Sequence, residues 1–165
     1  MPAPPPAGSR HVAGVIEVED HTERSDVMSD ELTSVQRLQH GLDLFLSKDM
    51  KAWSDLCAED VVAEFPFAPE GTPAVIEGRA AFYEYLRGYP ETIDVHTIPT
   101  TTIYTTGDPD VVVMEWSVSG TVVATGDPYD MRYATFVTFS GGQIATYREY
   151  WNPQVFLAAL GGQGF

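Results

Sequence analysis

The chain is poor in several things, and each shortage removes a class of function. Cysteine occurs once, at Cys57, which leaves no internal disulfide and no cysteine-rich metal site and fits a reducing compartment. Basic residues number 9 against 24 acidic ones, a net charge of −15. Such a surface repels phosphate backbones and anionic lipid, so neither nucleic acid nor a membrane surface is an expected partner. No run of about 18 apolar residues is present to span a bilayer. The N-terminus lacks the basic-then-apolar pattern of a secretory signal, so the expected location is cytoplasmic. Histidines number four, and His11, His21, His40 and His96 show no ligand spacing. No glycine-rich loop follows a strand and opens a helix. No metal and no cofactor are expected, and a small, neutral, hydrophobic substrate suits the charge balance best.

What remains is organised in two parts. Residues 1–28 open with Met1-Pro2-Ala3-Pro4-Pro5-Pro6 and carry no packing pattern, so they read as a disordered or loosely attached extension. Residues 29–165 read as one domain. Leu32, Val35, Leu38, Leu42, Phe45 and Leu46 step by three and four, which predicts a helix from a cap at Ser29 or Asp30 to about Ser47. Asp49 caps a second helix over 50–57, which places Cys57 at its end as a small core residue. Val61–Phe67 reads as a short strand, 68–77 as a loop, and Gly78-Arg79 as the start of a third helix with Phe82, Tyr85 and Leu86 on one side. After Pro90 the pattern turns to strands, over 93–106, 110–125, 129–140 and 143–151, separated by Gly-Asp-Pro and Gly-Gly turns. Short turns between long strands predict an antiparallel meander. The fold class is therefore α+β, with a curved antiparallel sheet wrapped on N-terminal helices into a cone with an internal pocket.

The last strand is the unusual one. Period-two alternation puts Ala145, Tyr147, Glu149 and Trp151 on one face and Ile144, Thr146, Arg148 and Tyr150 on the other. A glutamate amid aromatics reads either as a poorly solvated acid/base group inside a pocket, or as a surface carboxylate paired with Arg132 or Arg148. Glu115 lies in an otherwise apolar strand and faces either the pocket or a subunit surface. If Glu115 and Glu149 share the pocket, their acid and base roles can split. Trp116 and Trp151 read as wall residues or as platforms for a flat substrate.

Four blocks carry a resemblance: Ala58-Glu59-Asp60-Val61-Val62-Ala63-Glu64-Phe65-Pro66, Ile76-Glu77-Gly78-Arg79, Val111-Val112-Val113-Met114-Glu115-Trp116, and Gly142-Gln143-Ile144 with Tyr147-Arg148-Glu149-Tyr150-Trp151-Asn152-Pro153. Over residues 30–160 the chain resembles the SnoaL-like polyketide cyclases, within the ketosteroid isomerase and nuclear-transport-factor-like superfamily. The phenazine-biosynthesis A/B-type branch is the most similar. The resemblance implies a homodimer through the outer sheet face and places the face shared by Tyr133 and Thr135 in the cavity. It also aligns the superfamily's two catalytic aspartate positions with Phe65 and Thr135, which cannot act as carboxylates. The phenazine branch's third-helix histidine has no counterpart, whereas its final-strand glutamate matches Glu149.

The expected function is a cofactor-independent cyclase or isomerase of a hydrophobic polyketide-type intermediate. It would work by acid/base catalysis or by shaping the substrate for cycloaddition. Glu149, Glu115 and Tyr133 are the catalytic candidates, with Tyr133 donating to a substrate carbonyl. Trp116, Trp151, Tyr147, Phe65, Thr135, Arg132 and His96 are the substrate-binding candidates; Arg132 can orient a carboxylate and His96 can sit at the pocket mouth. The alternatives are an epoxide hydrolase or dehydratase, which needs a carboxylate pair, and a non-catalytic ligand-binding or dimerisation module.

Overall fold

The computed structural model describes residues 32–161, so the N-terminal extension and the caps expected at Ser29 or Asp30 lie outside the described residues. Helix α1 runs Ser34–Leu46 and starts later than the hydrophobic stripe suggests. Thr33 and Gln36 form a reciprocal capping box there, which satisfies two end N–H groups and leaves Leu32 ahead of the helix. Lys48 turns the chain with φ of 64°, and the Asp49 side chain then accepts from Ala52 N to cap α2, Met50–Asp55. Cys57 is not helical. It is the first residue of β1, Cys57–Glu64, and is fully buried.

Strand β2, Val75–Glu77, forms where a loop was expected and pairs antiparallel with β1. Helix α3, Arg79–Arg87, follows Gly78, whose φ of 89° suits a residue without a Cβ. A short helix α4, Tyr89–Thr92, leads into the sheet. The expected strand over 93–106 is two strands, β3 (Ile93–Thr97) and β4 (Thr101–Thr105), both on the same edge of β5 (Val111–Val122). Pro99 lies between them and has no N–H to give the ladder. Strands β6 (Pro128–Ser140) and β7 (Gln143–Trp151) complete the meander, and α5 is Pro153–Ala159. Gly141 and Gly142, with φ of 56° and 77°, make the two-residue turn between β6 and β7.

The strand order is β2-β1-β7-β6-β5-β3, an open sheet with β4 added on β5. It is not antiparallel throughout, because β1 runs parallel to β7. The chain leaves α2 and joins the sheet beside its last strand, a long-range pairing that local pattern does not encode. The register of β6 and β7 shifts between Thr138 and Phe139, leaving Ala145 as an extra residue. This bulge puts Ile144 on the buried face with Tyr147, not on the opposite face as strict alternation predicts.

The inward sheet face carries Val112, Met114, Trp116 and Val118 from β5, and Met131, Tyr133, Thr135 and Val137 from β6, all buried. The helices lie against this face with Leu38, Trp53 and Phe82. Full burial of a side chain such as Phe82 contributes about 2 kcal/mol. No helix among the described residues is long and apolar enough to cross a membrane.

Candidate functional site

Between the helices and the inward face of β5–β7 lies a cavity of about 360 Å³. Its lining is mostly aromatic and aliphatic, from all five helices, the loop at Gly71–Pro73 and the three long strands. Among the described residues no lysine, arginine or histidine lines it, and Glu149 is the only carboxylate that does. That composition suits a neutral, largely apolar ligand with a few polar atoms. The volume is near the lower end of the range for small-molecule sites.

Glu149 is 9% exposed and reaches the cavity from β7. Tyr147, two residues earlier on the same face, donates its hydroxyl to Glu149 Oε2. Thr135, the directly opposed residue on β6, donates to the same oxygen at 3.2 Å. Trp116 Nε1 donates to Thr135 Oγ1 at 2.9 Å. Both donors fall on Oε2, so Oε1 is the oxygen left for the cavity. Burial pushes the Glu149 carboxyl up to about 7, outweighing the two hydrogen bonds that pull it down. Glu149 is therefore balanced between acid and base near neutral pH.

This shift has a consequence for stability. The folded chain favours protonated Glu149, because its value of about 7 lies above the ordinary 4.5. The contribution is fully present below the lower value and is lost as pH rises through the higher one. It amounts to about 3 kcal/mol by linkage. The Glu149→Gln variant lacks it. The unfolding free energy of the native chain relative to that variant is expected to fall by about 3 kcal/mol between acidic and mildly alkaline buffer. Urea titrations of both proteins across that range check this; parallel stability curves contradict it.

Five tyrosines share the cavity with Glu149: Tyr85, Tyr89, Tyr129, Tyr133 and Tyr147. The Tyr89 and Tyr133 hydroxyls lie 3.2 Å apart. Burial pushes Tyr85 up to about 12, and Tyr89, Tyr133 and Tyr147 well above the ordinary phenol value. Burial also raises Tyr129. All five are neutral donors at physiological pH. Trp116 stacks on Tyr133 with centroids 4.5 Å apart and meets Phe45 edge-on, so the Tyr133 ring is fixed.

Of the residues singled out from sequence, Glu149, Tyr133, Trp116, Trp151, Tyr147 and Phe65 line this one cavity. The others do not. Glu115 is exposed on the outer sheet face and accepts from Tyr104 at 2.9 Å. Its parity on β5 decides this, since Met114 and Trp116 on either side point inward. Arg132 is likewise exposed, between the buried Met131 and Tyr133. His96 is exposed beside the register shift in β3 and sits 3.2 Å from Asp94. Thr135 has no exposed surface; it lies behind Glu149 rather than against a ligand. The pairing of Glu149 with Arg132 or Arg148 does not form. Arg148 instead donates to Glu64 at 2.6 Å on the far face.

Tyr85 and Tyr89 are cavity residues beyond the sequence candidates, although Phe82, Tyr85, Leu86 and Tyr89 step by three, four and seven. That stripe was the available signal. Tyr129 gave none beyond its strand parity.

Comparison with known proteins fits this architecture. The SnoaL-like domain pattern matches residues 38–147. YesE of Bacillus subtilis strain 168, itself uncharacterised, is 44% identical over 117 residues, covering 71% of this chain and 80% of that one. An uncharacterised PhzA/B-like protein of Pseudomonas aeruginosa is 35% identical over 125 residues, covering 76% and 88%. Among solved structures, one from Bacillus subtilis, provisionally assigned as an isomerase, superposes with TM-score 0.76 at 40% identity, covering 79% of this chain and 94% of that one. A phenazine biosynthesis-related protein of Pseudomonas aeruginosa shares the fold with TM-score 0.61 at 17% identity, covering 89% and 92%. The sheet order, the helix-covered cavity and these matches together establish that the chain belongs to the SnoaL-like domain family.

Proposed function

We propose that the protein is a cofactor-independent cyclase or isomerase of a neutral, hydrophobic, polyketide-type intermediate, with Glu149 as its proton-transfer group. One observation carries the reading: a nearly buried carboxyl, anchored through one oxygen and open through the other to an apolar cavity. In the ionised form Glu149 takes a proton from a carbon beside a substrate carbonyl. The C–H electron pair passes into an enolate, and the carbonyl oxygen accepts a hydrogen bond from Tyr133. Return of the proton to a different carbon isomerises the substrate. Attack of the enolate carbon on a second carbonyl forms a C–C bond and closes a ring, and the resulting alkoxide takes the proton. The apolar lining supports a further contribution from holding the chain folded before closure.

The lack of basic groups among the described lining residues argues for a neutral substrate over an anionic one. The hydrolase or dehydratase alternative asks for a carboxylate pair, and Glu115 does not join Glu149. The binding-module alternative is disfavoured by an ionisable group balanced near neutrality. The provisional isomerase assignment of the Bacillus subtilis structure supports the same class of chemistry. The test is deuterium uptake from heavy water into α-tetralone, a neutral bicyclic ketone with one enolisable carbon, with and without Glu149.

We further infer a homodimer through the outer sheet face. Phe136 is 44% exposed there and stands edge-on to Tyr150, which in turn meets the exposed Phe67. Exposed aromatics on one face mark an association surface. Sedimentation is expected to give a dimer for the native chain and a monomer for Phe136→Lys. A monomeric native chain overturns this.

A further inference from the structure

Two residues beside Glu149 spend their polar side-chain atoms on a hydrogen-bond chain that ends at its carboxyl. Thr135 is fully buried. Trp116 lines the cavity with its ring but spends its indole N–H on Thr135 Oγ1, at 2.9 Å. An indole nitrogen only donates. The Thr135 hydroxyl therefore accepts from Trp116, and its own proton goes to Glu149 Oε2 at 3.2 Å. Tyr147 donates to that same oxygen, and a phenol this deeply buried keeps its proton. Two hydrogens already point at Oε2, so a third bonded there would face both. The indole takes one lone pair of Thr135 Oγ1, and the remaining geometry directs the Thr135 proton onward to Glu149.

The geometry points to Trp116 and Thr135 as positioning residues: their one-way hydrogen-bond chain onto Glu149 Oε2 confines the exchangeable proton of Glu149 to Oε1, the oxygen open to the cavity. The proposal rests on Glu149 as the proton-transfer group but concerns only how its carboxyl is held. It reassigns Trp116, which the sequence offers as a stacking platform, and Thr135, which it offers as a ligand contact.

The surroundings make this measurable. Among the described residues, the titratable groups facing Glu149 are Tyr147 on β7, Tyr129 and Tyr133 on β6, Tyr85 on α3 and Tyr89 on α4. All are phenols raised above their ordinary value. The nearby Cys57 thiol is pushed up by burial to about 12. A spectral change at this site near neutral pH therefore belongs to Glu149.

The experiment is an NMR titration of the full chain, labelled with carbon-13 at glutamate side-chain carboxyls and nitrogen-15 at tryptophan indoles. In the native protein, the Trp116 indole signal is expected to move with the same midpoint as the Glu149 carboxyl. Ionising Glu149 strengthens the bond from Thr135 and polarises the one from Trp116. In Glu149→Gln the indole signal becomes flat. In Thr135→Val the indole uncouples and the Glu149 midpoint rises by about one pH unit; Thr135→Ser restores both. A native indole signal that ignores the Glu149 titration overturns the proposal, and that reading needs no core variant. A Thr135→Val midpoint equal to the native one overturns it as well. If Glu149→Gln leaves α-tetralone exchange unchanged while the native Trp116 indole still follows the Glu149 titration, the proton-transfer reading fails and the positioning chain stands.

Discussion

Glu149→Gln is expected to slow deuterium uptake into α-tetralone by about 10²–10⁴-fold, the usual contribution of a positioned general acid/base. The substitution keeps the shape of the side chain and removes its ability to carry a proton. The native rate should rise with pH and level off above about 7, as the base form fills. The variant should lose that limb of the profile. Glu115→Gln serves as the control, because Glu115 lies on the outer face and touches Tyr104. Its rate is expected to stay within about twofold of native, as for most surface changes. A rate for Glu149→Gln within a few fold of native would remove the acid/base reading. The shaped apolar cavity would then carry the catalysis, and changes to Trp116 or Trp151 would become the larger ones.

The second large effect is structural. Gly120→Ala is expected to destabilise the fold by about 3–5 kcal/mol, at the severe end for single substitutions. Gly120 lies opposite Val95, where the register of β3 on β5 shifts before Thr97. A Cβ placed on Gly120 would lie 2.1 Å from the Asp94 carbonyl oxygen and 2.9 Å from Val95 Cα. Both are backbone atoms, so neither can swing aside, and β3 would have to move as a unit. β3 carries the buried Ile93 and Val95, and the chain entering it carries Tyr89 and Thr92 of the cavity wall. Chemical denaturation of both proteins measures the loss. A change below about 1 kcal/mol would mean that β3 shifts freely on β5.

Much of the site was legible because strand alternation is a strong local rule. The parity of β7 brought Tyr147, Glu149 and Trp151 to one face, and the parity of β5 paired Met114 with Trp116. The same rule also separated Glu115 from Trp116, but it could not say which face of β5 was covered by helices. Where the backbone departs from regularity, alternation fails. The extra residue at Ala145 moved Ile144 to the inner face, and Pro99 divided one expected strand into two. The parallel pairing of β1 with β7 joins segments about 85 residues apart. No short-range pattern records such a contact, because its energy comes from two surfaces that meet only after folding.

By itself, then, the sequence determined an α+β chain with an acidic surface and a meander of long strands. It also placed a glutamate among aromatics in the last strand, because composition and periodicity act within a few residues. Tertiary structure alone decided which oxygen of Glu149 is bound and which is open. Trp116, Thr135 and Tyr147 come from three different strands, and only their assembly takes the carboxyl out of water and directs two donors at one of its oxygens. Desolvation and hydrogen-bond direction are properties of that assembled environment, and these turn an ordinary carboxylate into one balanced near neutral pH.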